Sequence, residues 1–272
     1  MLFCDYHIHS AYSFDGDPSA TPIAICEEAI RKGITDIAIT DHLEANSDAE
    51  GLYPPYNAKA AYEAIMHARE IFGKRLNIAY GIEIGQANQY PEVANSLLAE
   101  FPFEFVLASV HSLRGMQDFY YLDYPSIPEQ EIKRLYFAYL DEVIENINTL
   151  DRVSSIAHIT YPHRYMAQAG IPFDASHFSD KLAEVFSLMI SREIALEINS
   201  STHAKGLGFT MPSKDILALY RECGGRLITL GSDAHSTSAM GGSVPYAAEL
   251  VKSLGFDSAM VIRNSQKELI KL

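Results

Sequence analysis

Short apolar runs alternate along this chain with longer stretches in which apolar residues recur every three to four positions. The short runs are rich in β-branched residues and lack regular polar alternation, which is typical of strands covered by helices on both faces. Seven strands are predicted in this way: Leu2–His9, Ile34–Thr40, Asn77–Ile84, Phe105–Val110, Val153–Ile159, Ile194–Asn199 and Arg226–Leu230. Ala259–Arg263 is a weaker eighth candidate.

The longer stretches carry the end signals of helices. Thr21-Pro22 places a capping residue before a proline, and Arg31-Lys32-Gly33 ends the same stretch with basic residues and a glycine. The other predicted helices are Asn57–Phe72, which ends at Gly73 in the same way, Pro128–Leu150, Ser176–Ser191, Ser213–Cys223 and Val244–Leu254. Alternating strands and helices imply a parallel sheet. We expect an α/β barrel close to the eight-stranded type, or one unit short of it, with an open doubly wound sheet as the alternative.

Length, charge and cysteine content narrow the class of protein. The 272 residues suit one α/β barrel and contain no linker-like segment, so one domain over residues 1–272 is predicted. No membrane-spanning apolar run or signal-peptide pattern occurs, and we expect a cytoplasmic protein. The net charge of −14 disfavours nucleic acid as a partner. Cys4, Cys26 and Cys223 are scattered without a CxxC pair, which excludes a zinc–thiolate site and favours buried reduced thiols.

Residues able to bind metal follow the predicted strands closely. His7 and His9 are two positions apart on a strand, so their imidazoles point to the same face. In α/β barrels the carboxyl ends of the strands form the functional site. Nine potential ligands fall there: His7, His9, Asp15, His42, Glu83, His111, His158, Asp233 and His235.

This set of nitrogen and oxygen ligands favours zinc, manganese or iron over magnesium or calcium. Nine side chains exceed the needs of one ion, so two or three divalent ions sharing a bridging carboxylate fit better. A lone histidine in a barrel is more often a core residue than a ligand, but the whole set favours metal. Asp15 has an alternative role as a cap of the loop before Gly16. Asp41 is expected to orient His42 from behind rather than to bind metal.

These segments resemble the polymerase-and-histidinol-phosphatase (PHP) superfamily. The motifs that carry the resemblance are Asp5-Tyr6-His7-Ile8-His9-Ser10, Thr40-Asp41-His42, Gly81-Ile82-Glu83, Ser109-Val110-His111 and Ser232-Asp233-Ala234-His235. Two further stretches, Phe105–His111 and Leu196–Ser201, are similar to the histidinol-phosphate phosphatase branch of that superfamily.

The resemblance implies a distorted (β/α)7 TIM-like barrel that binds three metal ions at the carboxyl ends of its strands. It would place His7, His9, Glu83 and Asp233 on the first ion. Glu83 would bridge to a second ion completed by His111 and His158, and Asp15, His42 and His235 would hold the third. The implied activity is hydrolysis of the phosphomonoester L-histidinol phosphate, a step of histidine biosynthesis.

Such a centre suggests a mechanism and a set of substrate contacts. Two ions about 3.5–4 Å apart can lower the pKa of a bridging water from about 15.7 toward about 7, giving a hydroxide that attacks phosphorus in line. Asp233 and His235 are the predicted catalytic residues, as proton shuttles, and the leaving-group acid stays unassigned, with His163 and His203 as guesses.

Several loop residues are candidates for contacts with the substrate. Arg114, Arg164 and Lys205 follow the fourth, fifth and sixth strands and could bind phosphate, although a solvated surface role is as good an interpretation for each. Asn199 could donate a hydrogen bond to the substrate. A cationic amino alcohol needs a negative partner, for which Glu44, Asp48, Glu50 and Asp118 are the candidates.

Three alternatives remain open. The chain could be a phosphodiesterase, an exonuclease or another phosphoesterase of the same superfamily. Metal-dependent amidohydrolases also begin with His-x-His but usually add a strand-end lysine, which is not seen here. A non-catalytic metal-binding module is the alternative from a different class. The sequence does not predict the oligomeric state.

Overall fold

A computed structural model describes residues 4–46 and 51–272. Its main sheet consists of eight parallel strands of two to nine residues, which are almost entirely buried. Their bounds are β1 Cys4–Ile8, β2 Asp36–Ile39, β3 His42–Glu44, β4 Asn77–Gly85, β5 Phe105–Ser109, β6 Ser155–Ile156, β7 Ala195–Asn199 and β8 Ile228–Gly231. The strands pair in the order β1-β2-β4-β5-β6-β7-β8, and β3 pairs with the second half of β4.

The sheet closes on itself between its first and last strands. The Asp233 amide donates to the His7 carbonyl at 2.9 Å, and the His9 amide donates to the Ala234 carbonyl at 2.8 Å. Ile8 and Ala234 form a parallel bridge at the same place. The predicted TIM-like barrel of about seven units is therefore confirmed, and the open doubly wound sheet is wrong. Because all strands run in one direction, their carboxyl ends meet at one end of the barrel.

Helices surround the sheet and join successive strands. Their bounds are α1 Pro22–Lys32, α2 Ala58–Phe72, α3 Pro91–Glu100, α4 Glu129–Thr149, α5 Tyr161–Gln168, α6 Ser179–Ser191, α7 Ser201–Ala204, α8 Lys214–Glu222 and α9 Val244–Ser253. The capping signals of α1 are confirmed, because the Thr21 hydroxyl accepts from the Ala24 amide and Gly33 has a left-handed conformation. Gly73 after α2 is right-handed, so the predicted likeness to Gly33 is wrong.

The eighth predicted strand has a different role from the one expected. Residues Ser258–Arg263 form a strand, β9, but it pairs antiparallel with β10, Gln266–Lys271, instead of joining the barrel. An apolar run does not encode the direction of its pairing, which is why the sequence suggests a barrel unit. The Tyr6 hydroxyl exchanges hydrogen bonds with the backbone of Ile262, and Arg263 forms an ion pair with Asp36 at the start of β2. The hairpin thus packs beneath the amino ends of the strands.

The apolar faces of strands and helices form a continuous core. Cys4 and Cys26 are buried within it, Cys223 is half-buried, and all three are free thiols, as predicted. Within residues 4–46 and 51–272, no helix has both the length and the apolar character needed to cross a bilayer.

Candidate metal centre

All nine predicted ligands meet at the carboxyl end of the barrel. Each side chain comes from the last residues of a strand or from the loop that follows it, and most are buried. They fall into four overlapping groups that could each hold an ion: His7, His9 and Asp233; His7, Glu83 and His158; His42, Glu83 and His111; and His9, Asp15, His42 and His235.

Glu83 lies at the centre of the cluster. Its Oε2 is 3.0 Å from His7 Nε2 and 3.4 Å from His9 Nε2. Its Oε1 is 2.8 Å from His158 Nε2 and 3.3 Å from His111 Nε2. One carboxylate thus faces two sets of imidazoles, which is the arrangement of a bridging ligand.

The third set lies nearer the solvent. Asp15 Oδ2 is 2.9 Å from His235 Nε2 and 3.7 Å from His42 Nε2. The ring of His9 stacks against those of both His42 and His235, at 4.3 and 4.1 Å between ring centres. Asp15 therefore lies with the imidazoles and does not act only as a loop cap, although its oxygen also accepts from Ser13 Oγ.

The spacing of ring nitrogens fits a bound cation. His7 Nε2 and His9 Nε2 face each other at 3.0 Å, while His7 Nδ1 is engaged by Glu197 at 2.6 Å. Two ring nitrogens that both carry lone pairs repel each other at this distance, and a shared cation removes the conflict. Zinc–nitrogen bonds of about 2.0–2.1 Å would place neighbouring ligand atoms about 3–3.5 Å apart. The donor set is therefore suited to a metal ion.

The ionisation states of Glu83 and His9 are also suited to metal binding. Burial alone would raise the pKa of Glu83, but the imidazoles of His42 and His7 outweigh it and hold that pKa well below its usual value. Burial, together with His235 and His42, lowers the pKa of His9 to about 3. The ionised Glu83 carboxylate and the neutral His9 imidazole are forms that bind metal. Burial alone would lower the pKa values of His7, His42 and His111, but the neighbouring carboxylates outweigh it and raise them, so a metal ion would displace protons from these three rings.

Backbone strain is also concentrated here. His158 and Asp233 have positive φ angles, 23° and 55°. Such conformations cost on the order of 1–3 kcal/mol and cluster at functional sites. Glu197 and His7 compensate locally, because the His158 amide donates to Glu197 Oε2 and the Asp233 amide to the His7 carbonyl.

Two buried glutamates contact the outer ring nitrogens of clustered histidines, a role that the sequence analysis did not predict. Glu197 on β7 contacts His7 Nδ1, and Glu44 on β3 contacts His111 Nδ1 at 2.8 Å. An acidic residue inside a largely apolar strand is the signal available for Glu197, whereas β3 is the short segment His-Leu-Glu and gives no such signal for Glu44. The expectation that Asp41 orients His42 is wrong: the Asp41 carboxylate accepts from the amide and the hydroxyl of Ser10.

A cavity of about 380 Å³ opens over the cluster. Six of the nine candidate ligands line it. Arg164 and Lys205 line it too, on the side of Asp233. Arg164 is buried, and its Nη2 donates to Asp233 Oδ2 at 2.7 Å and to Ser201 Oγ at 2.6 Å. Asp118 lies on the wall together with six aromatic rings, those of Phe14, Tyr53, Tyr120, Tyr121, Tyr161 and Tyr165.

Other predicted contacts lie away from this cavity. Arg114 is exposed and donates to the Asn88 carbonyl near Glu145, so its predicted role in binding substrate is not supported. Asn199 is buried, with its Nδ2 donating to Glu197 Oε2 and its Oδ1 accepting from Ser201 Oγ. It therefore contacts residues next to the cluster and does not line the cavity.

The remaining polar candidates are also accounted for. His163 stacks between Phe173 and Phe209, and His203 stacks on Tyr246, so neither guess for the leaving-group acid faces the cavity. Asp48 and Glu50 lie outside the described residues. Of the other candidates for a cation partner, Glu44 is engaged by His111, which leaves Asp118.

Comparison with known proteins identifies the family. The PHP domain model matches residues 5–201, well over half of the 272 residues. This chain belongs to the PHP domain family. All nine clustered side chains except Asp233 and His235 fall within the matched PHP segment.

Full-length relatives of this PHP chain have one name in common. The histidinol-phosphatase of Lactococcus lactis is 28% identical over 99% of both chains. A probable histidinol-phosphatase of Clostridium acetobutylicum is 28% identical over 89% of both. The solved structure of the Lactococcus lactis histidinol phosphate phosphatase, in complex with zinc, L-histidinol and phosphate, matches with a TM-score of 0.78 over 98% of both chains at 24% identity, which shows a shared fold.

Proposed function

We propose that this protein is a metal-dependent phosphomonoesterase whose substrate is L-histidinol phosphate. The observation that carries the proposal is the convergence of nine imidazoles and carboxylates at the base of a cavity that also exposes Arg164 and Lys205. The relatives named histidinol-phosphatase, which cover nearly all of the chain, support the choice of substrate.

We propose that two or three divalent ions, with zinc, manganese and iron as candidates, bind to the nine residues. His7, His9, Glu83 and Asp233 would hold one ion, Glu83 with His111 and His158 a second, and Asp15, His42 and His235 a third. The structure also places His9 next to the third set, so that ring could contribute to either ion. When bound, such ions neutralise phosphate oxygens and lower the pKa of water.

The chain's own residues would bind the phosphate on the Asp233 side of the cavity. The Arg164 guanidinium is fixed by Asp233 and Ser201 and packs near the rings of Tyr161 and Tyr165. A preorganised guanidinium stabilises the charge that develops on phosphate oxygens without reorganising. Lys205 adds a second cation, and burial beside Arg164 lowers its pKa.

The other end of the substrate is a cationic amino alcohol, and Asp118 is the acid that can meet it. Asp118 Oδ1 accepts from the Tyr120 amide and the Tyr161 hydroxyl, so the carboxylate is held at the cavity wall. The surrounding tyrosine rings attract cations through their faces. Asp233 and His235 remain the proposed groups for holding and moving a proton, and both line the cavity.

A substrate panel tests this function. The metal-loaded protein should hydrolyse L-histidinol phosphate with a higher kcat/KM than p-nitrophenyl phosphate, and should hydrolyse bis-p-nitrophenyl phosphate and single-stranded DNA poorly. Preference for either of the last two substrates would instead favour a phosphodiesterase or an exonuclease. Equal hydrolysis of all monoesters would contradict the proposed substrate but not the phosphatase chemistry.

A further inference from the structure

A closed ring of hydrogen bonds lies behind one part of the cluster. Glu44 Oε1 contacts His111 Nδ1 at 2.8 Å, and Glu44 Oε2 accepts from Gln86 Nε2 at 2.5 Å. Gln86 Oε1 in turn accepts from the backbone amide of His111 at 3.0 Å. Glu44, Gln86 and the His111 backbone are all buried. The ring therefore begins and ends on the same histidine.

The donors and acceptors in this ring have only one consistent assignment. A backbone amide can only donate, so the Gln86 side chain must turn its oxygen toward it and its NH₂ toward Glu44. The ionised Glu44 carboxylate has no hydrogen to give, so it can only accept from His111 Nδ1. The hydrogen of a neutral His111 ring must then be on Nδ1. The Nε2 lone pair is left facing Glu83 and His158, at 3.3 and 3.4 Å.

Glu197, on the opposite side of the barrel, constrains the tautomer of His7 in the same way. Its Oε2 accepts from the His158 amide at 2.6 Å and from Asn199 Nδ2 at 3.2 Å, both of which can only donate. Its Oε1 faces His7 Nδ1 at 2.6 Å. In a neutral His7 ring, Nε2 is then free of hydrogen and points toward His9 and Glu83.

The backbone leaves room for each glutamate. A Cβ on Gly85 would collide with the Glu44 carboxylate, and a Cβ on Gly231 would collide with the Glu197 carboxylate and lie 2.6 Å from His7 Cβ. Both glycines end strands of the barrel, β4 and β8. The two buried acids thus occupy spaces that only glycine permits.

We propose that Glu44, held by Gln86, and Glu197 are positioning residues that fix the ring tautomers of His111 and His7 with Nε2 free for metal. This inference rests on the proposed metal centre and extends it to residues outside the nine clustered side chains; Glu44 also borders the cavity and lies 3.2 Å from His42 Nδ1. The inference predicts that the direction of the hydrogen bonds matters, not only the presence of a polar side chain.

Exchanging the two side chains of the ring tests that direction. In Glu44→Gln, the Gln86 NH₂ claims the new amide oxygen, so the new NH₂ faces His111 Nδ1 and forces the hydrogen onto Nε2. We expect zinc affinity, measured by competition with a chromophoric chelator, to fall about 10- to 100-fold. In the exchanged variant, E44Q/Q86E, the carboxylate introduced at position 86 accepts from both the His111 amide and the side-chain NH₂ introduced at position 44. An oxygen then returns to His111 Nδ1, and zinc affinity should recover to within about threefold of wild type.

Nuclear magnetic resonance of protein labelled with ¹⁵N-histidine reads the tautomer directly. His111 Nδ1 should carry hydrogen in the wild type and in the exchanged variant but not in Glu44→Gln, with the signal assigned from its absence in His111→Gln. Glu142→Gln is the matched control. Glu142 is a buried carboxylate on α4 that accepts from Asn88, Gln89 and the Arg114 amide and contacts none of the nine clustered residues, so zinc affinity should not change.

The outcomes separate this inference from the proposed function. Wild-type protein that binds none of zinc, manganese and iron would overturn both. If the wild type binds zinc, two results would overturn only the tautomer account. One is an equal zinc affinity in Glu44→Gln, and the other is an exchanged variant that folds but does not recover zinc affinity. If thermal unfolding shows that Glu44→Gln is not folded, the exchanged variant alone tests the tautomer account, because its zinc content either recovers or does not.

Discussion

Arg164 links the proposed phosphate side of the cavity to Asp233 of the proposed metal centre. Its guanidinium is buried, binds Asp233 and Ser201, and has an Nε without a hydrogen-bond partner among the described residues. A buried donor without a partner is costly unless a ligand satisfies it. Phosphate oxygens have the geometry and charge that a guanidinium binds in two-pronged fashion.

We therefore expect Arg164→Lys to lower kcat/KM for L-histidinol phosphate by about 10- to 150-fold, since a hydrogen bond to a charged group contributes about 1.5–3 kcal/mol. Steady-state kinetics on metal-loaded protein measures this. Arg114→Lys is the matched control, because Arg114 is exposed outside the cavity, and its kcat/KM should stay within about twofold of wild type. Similar losses in both variants would contradict the assignment of Arg164.

Asp118 offers a second test at the same scale. Burial raises its pKa, although the nearby His111 opposes this, so its charge depends on what enters the cavity. Asp118→Asn should raise KM for L-histidinol phosphate about tenfold, as expected for the loss of roughly 1.4 kcal/mol of binding. KM for p-nitrophenyl phosphate, which has no cationic group, should hardly change. Equal effects on both substrates would show that Asp118 does not recognise the cation.

Helix α5, Tyr161–Gln168, shows at the scale of elements why part of the site is hard to predict. It is eight residues long, its N-cap Thr160 makes no side-chain capping bond, and its sequence mixes aromatic and charged residues. No periodic apolar signal marks it, so the sequence predicts a loop at Arg164.

The ends of the barrel strands are predictable from the sequence. Buried strands have a distinctive apolar composition, so polar residues at their ends stand out. The roles of Glu44 and Glu197 are not predictable in this way, because a sequence does not show which acidic side chain contacts the far side of an imidazole ring.

The same helix carries His163, which makes a pH-dependent contribution to stability. Burial between Phe173 and Phe209 lowers its pKa to about 4, below the ordinary value of 6.5. As the pH falls from 6.5 to 4, the unfolded chain takes up this proton before the native protein does. The stabilising contribution is thus complete above pH 6.5 and is lost toward pH 4, to the extent of about 3 kcal/mol.

His163→Phe keeps a ring between the two phenylalanines and removes the titration. Urea unfolding at pH 7 and at pH 4.5 should show a smaller loss of the free energy of unfolding in the variant than in the wild type. Because the other acidic and histidine groups are common to both proteins, the difference between them isolates His163. Parallel pH profiles for the two proteins would contradict this account.

The whole molecule is a barrel whose closure brings distant segments of the chain to one point. His7 lies on the first strand and Asp233 follows the last, and the bonds between these segments both close the sheet and align their side chains. The formal charge of −14 includes three of the clustered carboxylates, Asp15, Glu83 and Asp233. Bound divalent cations would offset part of that charge, so the fold and the metals should stabilise each other.

Metal content measured together with activity tests the central claim most directly. Protein purified without chelator and analysed by inductively coupled plasma mass spectrometry should contain two to three equivalents of zinc, manganese or iron. Chelator treatment should remove the metal and the hydrolysis of L-histidinol phosphate together, and added zinc or manganese should restore both. Protein without bound metal, or activity that survives complete removal of the metal, would contradict the account.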